Sequence, residues 1–360
     1  METYRLKIGD INNLAIGSSL LGSGGGGDPY IGVSMLKNEL EKRKTDVEII
    51  IGINELNKNE YLVSTAMMGA TTISIEKPPN GNEVLMAMRT YIRIAGKNIS
   101  YITPVEVGGE NSITPLISSL KTGIPVLDGD GMGRAFPELQ MTTFYFYGIS
   151  PSPLVLVDER DNVSVIYGID GLWSERIARA VTLRYGGSSY VISYGMSLRD
   201  YATSYIPNTL SLSIEIGELL NEHKLDEVLD KLHGVILFKG KIVDVWKGLD
   251  KGFSKGYVLI EGLDEYKNMN LRIHFQNEFI VTIINESVAA SAPDIISLLD
   301  LFSLKPITTD RVKYGQKVIV VGIPAHEKLK TEKALKYVGP KAFGYNIEYS
   351  PLTSKKKLFL

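Results

Sequence analysis

The chain of 360 residues contains no cysteine, which excludes disulfide bonds, thiolate catalysis, iron–sulfur clusters and zinc sites with cysteine ligands. Histidine is nearly as scarce: there are four, and the first of them is His223. A Ser-His-Asp triad within residues 1–222 is therefore excluded. The sequence leaves the cofactor unknown. A metal bound wholly within that region would need oxygen ligands, which suit divalent Mg, Mn or Ca better than zinc.

Long apolar runs and a strong net charge are also missing. No segment reaches the roughly 18 apolar residues of a membrane span, and residues 1–10 lack the apolar core of a signal peptide. The formal net charge is −2, which gives no reason to expect nucleic acid or an acidic membrane as a partner. We therefore predict a cytoplasmic protein with a small-molecule substrate. The absence of cysteine and the abundance of Ile, Lys and Tyr hint at a thermophile.

The most informative stretch is residues 22–28, in which five of the first six residues are glycine. Glycine allows positive φ angles and close backbone approach, and consecutive N–H groups can bind an anion or a carbonyl oxygen. Helical patterns at 11–21 and 30–43 flank the stretch. The formal G-x-G-x-x-G match is therefore rejected, because the dinucleotide fingerprint needs a strand before the loop. We predict a ligand-binding loop at a helix N-terminus, and a tight helix–helix turn is the alternative. Its candidate ligand-binding residues are Ser23, Gly24, Gly25, Gly26, Gly27 and Asp28.

Strand-like apolar runs alternate with helical patterns through the first half of the chain, for instance a strand at 61–68, helical spacing at 82–95 and a helix at 135–147. This alternation predicts an α/β domain with a mostly parallel sheet. We assign it to residues 1–167, which include the glycine-rich loop.

From residue 234 the chain is rich in strand patterns, with strands expected on both sides of Gly240 and a last strand at 344–349. These patterns predict a β-rich domain that resembles a barrel or a sandwich. The second domain is therefore residues 168–360, a helical connector plus the β-rich part. The helical block at 170–232 could pack with either domain.

Small and polar residues follow several predicted strands of the first domain, and ligands of parallel α/β sheets bind at the carboxyl ends of the strands. Residues 106–111 (EVGGEN) and 128–134 (DGDGMGR) are two such segments. We expect them to line one crevice together with the glycine-rich loop. In the alternative reading, Glu110 and Asn111 cap the following helix, and Thr71 caps another. The candidate ligand-binding residues of these segments are Thr71, Glu110, Asn111, Asp130, Gly131 and Gly133.

Three side chains are candidate catalytic residues. Glu106 lies inside an apolar strand, where a lone carboxylate is costly without a partner, and Asp128 lies at a strand end. Either could activate water as a general base, although Asp128 could equally be a turn residue. Arg134 could hold a carboxylate, unless it pairs with Glu138 one helical turn later. Carboxylates gathered around one crevice should repel each other and raise the pKa of at least one of them.

Five motifs in a fixed order carry a family resemblance: residues 22–29 (GSGGGGDP), 106–111 (EVGGEN), 128–138 (DGDGMGRAFPE), 292–296 (APDII) and 338–345 (VGPKAFGY). Over residues 8–352 the chain resembles the S-methyl thiohydantoin desulfurase-like proteins, which are often named beside hydantoinase/oxoprolinase proteins. The resemblance implies an α/β N-terminal domain, a β-rich C-terminal domain, and action on a hydantoin-like five-membered cyclic amide or its thio analogue. We also expect a homo-oligomer, and association with hydantoinase/oxoprolinase subunits stays open.

The predicted function is hydrolytic attack on a ring carbon of a hydantoin or S-methylthiohydantoin, with backbone N–H groups of residues 24–27 or 131–133 stabilising the oxyanion. Two alternatives stay open. One is a non-catalytic ligand-binding or accessory subunit of a hydantoinase/oxoprolinase-type system. The other is an enzyme that binds a phosphate ligand, a nucleotide or a sugar phosphate, in its glycine loops. The chain has no G-x-x-x-x-G-K-S/T pattern, so we do not expect P-loop binding of ATP.

Overall fold

The computed structural model describes residues 2–69, 73, 77, 79–250 and 252–353. Two eight-stranded sheets dominate the fold, one with strands from residues 3–197 and one with strands from residues 235–323. None of the helices in the described part of the chain combines the length and the apolar character needed to cross a lipid bilayer.

The first sheet has a parallel centre with antiparallel strands at both sides. Its strands are β1 (Thr3–Leu6), β2 (Val47–Ile50), β3 (Tyr61–Gly69), β4 (Tyr101–Pro104), β5 (Val126–Leu127), β7 (Leu154–Val157), β8 (Val163–Ile166) and β9 (Ser188–Ser197), and a separate short pair joins β6 (Gly129–Asp130) to β10 (Ile206–Pro207). The order is β1-β2-β5-β4-β3-β9-β7-β8, in which β2-β5-β4-β3 run parallel. This arrangement confirms the predicted α/β domain.

The described part of the chain includes the α-helices α1 (Asp10–Leu21), α2 (Pro29–Arg43), α3 (Glu83–Ala95), α4 (Thr114–Thr122), α5 (Thr143–Phe146), α6 (Gly171–Arg184), α7 (Leu198–Ser204), α8 (Thr209–Asn221), α9 (Leu225–Leu232) and α10 (Glu332–Val338). Their ends follow local chemistry. The Asp28 carboxylate accepts the N–H of Tyr30 at the start of α2, where proline occupies the first turn. Gly96 and Gly123 end α3 and α4 in the left-handed conformation that glycine adopts without strain.

The second sheet is antiparallel throughout. Its strands are β11 (Val235–Asp250), β12 (Phe253–Gly262), β13 (Asn270–Gln276), β14 (Glu278–Ile284), β15 (Ser287–Ser291), β16 (Ile295–Asp300), β17 (Pro306–Ile307) and β18 (Lys317–Ile323), in the order β15-β14-β13-β12-β11-β18-β16-β17. Four strands separate β14 from β16 in this order, yet β14 and β16 contact each other. The sheet is therefore strongly curled, and its predicted β-rich character is confirmed.

Most of the helical connector packs with the first domain. Strand β9 lies between β3 and β7 in the first sheet, and α6 packs on the same sheet. Helix α8 packs along α1. The apolar faces of α1, α8 and α9 then meet the outer side of β16 and β18, where Leu20, Ile216, Val228, Ile295 and Val321 share one buried cluster.

The helix predicted at 135–147 is wrong, because only Thr143–Phe146 is helical. Two backbone donors that a helix would use internally bind carboxylates from other elements instead. The N–H of Phe136 donates to Glu106 at 3.0 Å, and the N–H of Leu139 donates to Glu175 at 3.0 Å. Residues 131–142 therefore form an irregular segment, which we call the 131–142 segment.

Two expectations for the second domain also need correction. Gly240 lies within the single strand β11 rather than between two strands, and a Cβ atom there would overlap the carbonyl of Glu261 on β12. The strand predicted at 344–349 is irregular chain. Side chains hold this segment: the hydroxyl of Tyr349 donates to the carboxylate of Asp294 at 2.8 Å.

The close packing of α1 on α8 generates a prediction for stability. A Cβ atom on Gly17 would overlap the backbone carbonyl of Ser213, so the two helices would have to separate. We expect Gly17→Ala to lower the free energy of unfolding by about 2 kcal/mol, because overpacking outweighs the better helix propensity of alanine. Urea denaturation measures this change. The control is Gly52→Ala, whose Cβ would meet its nearest neighbour at 3.8 Å, and equal stability of the two variants would contradict the prediction.

Candidate functional site

A cavity of about 80 Å³ lies between the carboxyl ends of β3 and β4 and the first residue of β14. It has room for roughly five to eight water molecules, at the ~10–15 Å³ that one water needs. The glycine-rich loop, the 131–142 segment and α6 complete its walls. Among the described residues, five carboxylates line it: Glu106, Glu110, Glu138, Glu175 and Glu278. The predicted position of the site at the carboxyl ends of parallel strands therefore agrees with this cavity.

Glu106 lies two residues beyond the end of β4, outside the strand in which the sequence places it, and is 5% exposed. Its Oε1 accepts the side-chain N–H of Asn111 at 2.7 Å, and its Oε2 accepts the N–H of Phe136 at 3.0 Å. Burial raises the pKa of Glu106 to about 7, although both hydrogen bonds and Arg134 act in the opposite direction. A carboxyl group with this pKa can both accept and donate a proton near neutral pH.

Asn111 orients Glu106 and is itself fixed by strand β3. Its Oδ1 accepts the N–H of Met67 at 2.8 Å, which leaves the amide nitrogen facing the carboxylate of Glu106. Glu110 also lines the cavity and is buried. Neither residue supplies a side-chain cap to α4. Both predicted ligand-binding residues therefore lie at the cavity.

Glu278 enters the cavity from the second domain. It is 2% exposed, and its Oε2 has no hydrogen-bond partner among the described residues. Burial is the largest cause that raises the pKa of Glu278 well above its usual range, and the charge of Glu106 adds to the effect. The side chain lies over the glycine-rich loop, since a Cβ atom on Gly25 would overlap the Glu278 carboxylate.

Arg179 is the cationic residue that lines the cavity among the described residues. Its guanidinium donates to Glu175, one turn earlier on α6, at 2.7 Å. It also donates to the carbonyl of Pro137 at 2.8 Å and lies over the ring of Phe253. Arg179 therefore fixes the 131–142 segment against α6. Glu138 bonds to Gln140, so the predicted alternative pair of Glu138 with Arg134 is wrong.

One part of the glycine-rich loop lines the cavity, and the other part contacts the second sheet. Gly26 and Gly27 line the cavity, and within the described part of the chain neither of their N–H groups has a hydrogen-bond acceptor. Gly24 packs against the ring of Phe279. Ser23 bonds to the second sheet: its hydroxyl donates to the carbonyl of Ile296 at 2.8 Å.

Asp28 is held away from the cavity. Its Oδ2 accepts from Arg311 at 2.6 Å, and its Oδ1 caps α2. The contact of Asp28 with Arg311 joins the start of α2 to the second domain. The structure thus gives Asp28 a role in domain contact, and ligand binding by this residue stays a prediction.

The structure does not bring Asp128 to the cavity. Its Oδ1 accepts the N–H groups of Leu210 at 2.9 Å and Ser211 at 3.2 Å, so the carboxylate caps the start of α8. The side chain is buried, so it is neither an exposed turn residue nor part of the cavity lining. Asp130 binds the N–H groups of Val107 and Gly133, and burial raises its pKa to about 8.

Arg134 is fully buried and bonds to protein carbonyls. It donates to Ala135 at 3.0 Å, to Asp294 at 2.7 Å and to Phe279 at 3.0 Å, and its guanidinium lies over the ring of Phe136. It therefore connects the 131–142 segment to the second domain instead of reaching the cavity.

Two further predicted residues, Gly131 and Gly133, also lie away from the cavity. A Cβ atom on Gly131 would meet the ring of Phe144, and one on Gly133 would meet Ile206. Both glycines thus contact other parts of the protein instead of lining the cavity. Thr71 lies outside the described residues.

The sequence reasoning missed Glu278, Glu175 and Arg179. Glu278 immediately precedes the apolar run of β14, which is the same kind of signal that singled out Glu106. Glu175 and Arg179 are four residues apart on one helix, a spacing that is usual for surface pairs. Their burial depends on the 131–142 segment, in which the sequence predicts a helix from residue 135 onward. Among the described residues, no group of three or more His, Asp or Glu side chains is arranged to hold a metal ion.

Taken together, the fold and the cavity define a two-domain protein, α/β followed by an antiparallel β domain, with a buried acidic site at the domain interface. The chain belongs to the S-Me-THD-like family, because the N-terminal domain model matches residues 9–168 and the C-terminal domain model matches residues 169–352. These matches confirm the resemblance to the S-methyl thiohydantoin desulfurase-like proteins.

The chain also shares its fold with a solved structure. An X-ray crystal structure of a protein from Chromobacterium violaceum is 22% identical and superposes with a TM-score of 0.83, over 97% of this chain and 100% of that chain. At this identity the likeness supports the fold alone. A comparison with curated proteins gives no match.

The raised pKa of Glu106 generates a prediction for the pH dependence of stability. Its carboxyl group holds its proton to about pH 7 in the folded protein but only to about pH 4.3 in an unfolded chain. The folded state therefore binds more protons in this window, so the free energy of unfolding falls as the pH rises through it. The fall in the free energy of unfolding across the whole window amounts to about 4 kcal/mol.

We expect Glu106→Gln to make the fall in the free energy of unfolding shallower between pH 5 and 7. Urea denaturation at several pH values measures the slope. The exposed Glu41→Gln on α2 is the control for removal of one carboxyl group. A slope for Glu106→Gln as steep as that of the unsubstituted protein would contradict the raised pKa.

Proposed function

We propose that this protein is a hydrolase of hydantoin-like or S-methylthiohydantoin-like five-membered cyclic amides. The observation that carries the proposal is Glu106, a buried carboxyl group with a pKa of about 7 that faces a cavity of small-ring size. Membership of the S-Me-THD-like family supports the substrate class. The cavity suits a compact ring because apolar side chains, among them Met132 and Phe136, line it beside the carboxylates.

Glu106 acts as the general base and then as the general acid. Its carboxylate accepts a proton from water while the water oxygen bonds to the ring carbon that carries the S-methyl group, and the C=N electron pair moves to the ring nitrogen. When that pair re-forms the C=N bond, the C–S bond breaks. The leaving sulfur takes the proton from Glu106, which gives methanethiol and a tautomer of the hydantoin. The carboxylate is regenerated, so the reaction consumes one water.

The glycine-rich loop supplies the electrostatic part of the mechanism. The N–H groups of Gly26 and Gly27, which lack acceptors within the described residues, would donate to the ring carbonyl as negative charge spreads to it. Asn111 keeps the carboxylate of Glu106 in position. Asp128 has no part in this mechanism, because its carboxylate caps α8.

The lining of the cavity argues against the phosphate-ligand alternative. Five carboxylates and one arginine line it among the described residues, and that arginine already binds Glu175. A phosphate would meet like charge on most sides. The accessory-subunit alternative differs from the proposal in one measurable respect, since such a subunit would bind the ring without turning it over.

We expect Glu106→Gln to lower the turnover of S-methylthiohydantoin by roughly 100-fold or more, the usual loss when a general base is removed. Methanethiol release, followed with a thiol reagent, measures the rate. The matched control is Asp128→Asn, which replaces another buried carboxyl group by its amide at a place away from the cavity. The control should retain turnover within a few-fold.

Two outcomes would overturn the proposal. The first is normal turnover by Glu106→Gln, which would exclude Glu106 as the base. The second is the absence of turnover by the purified, folded protein with both the hydantoin and the S-methylthiohydantoin, together with tight ring binding. That result would favour the accessory-subunit alternative.

A further inference from the structure

The cavity has more carboxylates than its own donors satisfy. Glu106 receives two hydrogen bonds, from Asn111 and from the backbone of Phe136. The carboxylate of Glu175 accepts a hydrogen bond from the guanidinium of Arg179. These pairs are internal to the walls of the cavity and need no ligand.

Glu278 differs from them. Its side chain is 2% exposed and lines the cavity. Its Oε2 has no hydrogen-bond partner among the described residues. The charge of the buried Arg134 acts on Glu278, but the guanidinium donates to the carbonyls of Ala135, Phe279 and Asp294 instead. A buried carboxylate oxygen without a donor is costly, and a ligand that donates to it would remove that cost.

We propose that the cavity takes a compact, planar cation of the amidinium type, such as a protonated cyclic amidine, guanidine or isothiourea, with Glu278 as its counter-ion. The choice of a five-membered ring rests on the proposed function. The assignment of positive charge rests on Glu278 and on the carboxylates around it.

An amidinium fits the geometry better than other cations. Its N–H groups point outward in one plane on both sides of the central carbon, so it can donate to two carboxylates at once. Glu106 and Glu278 face the same cavity and repel each other electrostatically. A cation between them relieves this repulsion. The apolar side chains of Met132 and Phe136 can cover the faces of a flat ring. The described residues offer no group arranged to hold a metal ion.

The same charge would assist the proposed reaction. A protonated ring nitrogen makes the carbon that carries sulfur more electrophilic, and Glu278 stabilises that proton. Addition of water then gives a neutral intermediate in place of an anion. Glu278 would thus be a substrate-binding residue, and Glu106 would remain the base.

Binding of such a cation should release a proton. Burial and the charge of Glu106 raise the pKa of Glu278, while Arg134 and Arg179 lower it. The net direction is upward, and a bound cation favours the ionised carboxylate and so lowers this pKa again. Binding should therefore be coupled to proton release.

The experiment compares two rings of the same size and shape in isothermal titration calorimetry of the full chain. The probes are aminoimidazoline, a cyclic guanidine that is cationic at neutral pH, and imidazolidinone, the corresponding neutral cyclic urea. We expect the cation to bind at least about tenfold more tightly, the lower end for a hydrogen bond to a charged group. Titration in two buffers with different ionisation enthalpies measures proton release.

Two variants test Glu278 directly. Glu278→Gln keeps the shape but removes the charge, and we expect it to lose the preference for the cation and the proton release. In Gly25→Ala the new methyl group displaces the Glu278 carboxylate, and we expect a weaker preference with the charge retained. Asp128→Asn is the control and should bind both rings like the unsubstituted protein. Equal affinity for the two rings, or a cation preference that survives in Glu278→Gln, would overturn the inference.

The binding and turnover experiments can contradict the two proposals independently of each other. Selective binding of the cation through Glu278 without any turnover would retain this inference and overturn the proposed hydrolase. Turnover that depends on Glu106 in a protein with no cation preference would retain the hydrolase and overturn this inference.

Discussion

The insertion of the glycine-rich loop into the curled second sheet is the constraint on which the site depends. The hydroxyl of Ser23 donates to Ile296 on β16, and its carbonyl accepts the N–H of Phe279 on β14 at 2.8 Å. The carbonyl of Gly24 accepts the N–H of Thr309 at 2.9 Å. The loop therefore bonds to both sides of the place where β14 meets β16. These contacts place Gly26 and Gly27 on one side of the cavity and Glu278 on another.

This role explains why the loop needs so many glycines. A Cβ atom would meet Phe279 at Gly24, the Glu278 carboxylate at Gly25, the backbone of Gly108 at Gly26 and the side chain of Glu110 at Gly27. Each glycine thus permits a close approach to a different neighbour. The glycine density that suggested a ligand cradle chiefly reflects close packing against both domains. The N–H groups of Gly26 and Gly27, which have no acceptor among the described residues, are what remains for a ligand.

Local chemistry made much of the fold predictable, and long-range partners limited the prediction of the site. Helices α2, α3 and α4 follow from their caps and periodicity, and Glu106 was found because a lone carboxylate in an apolar strand is costly. The 131–142 segment was misjudged because its backbone donors bind Glu106 and Glu175, which are distant in sequence. Asp128 was a candidate because it follows a predicted strand, yet its carboxylate faces the start of a helix that begins 81 residues later, at Thr209.

Two buried arginines hold the walls of the cavity together, and among the described residues neither of them hydrogen-bonds to Glu106 or Glu278. Arg134 joins the 131–142 segment to the carbonyls of the second sheet, and Arg179 fixes the same segment to α6. Both guanidinium groups consequently hold backbone carbonyls in place, which leaves Glu106 and Glu278 with raised pKa values. The contacts that close the cavity are thus the same contacts that keep it acidic. The same arrangement of residues thus forms the wall of the cavity and leaves Glu106 with a pKa of about 7, which suits a group that exchanges protons near neutral pH.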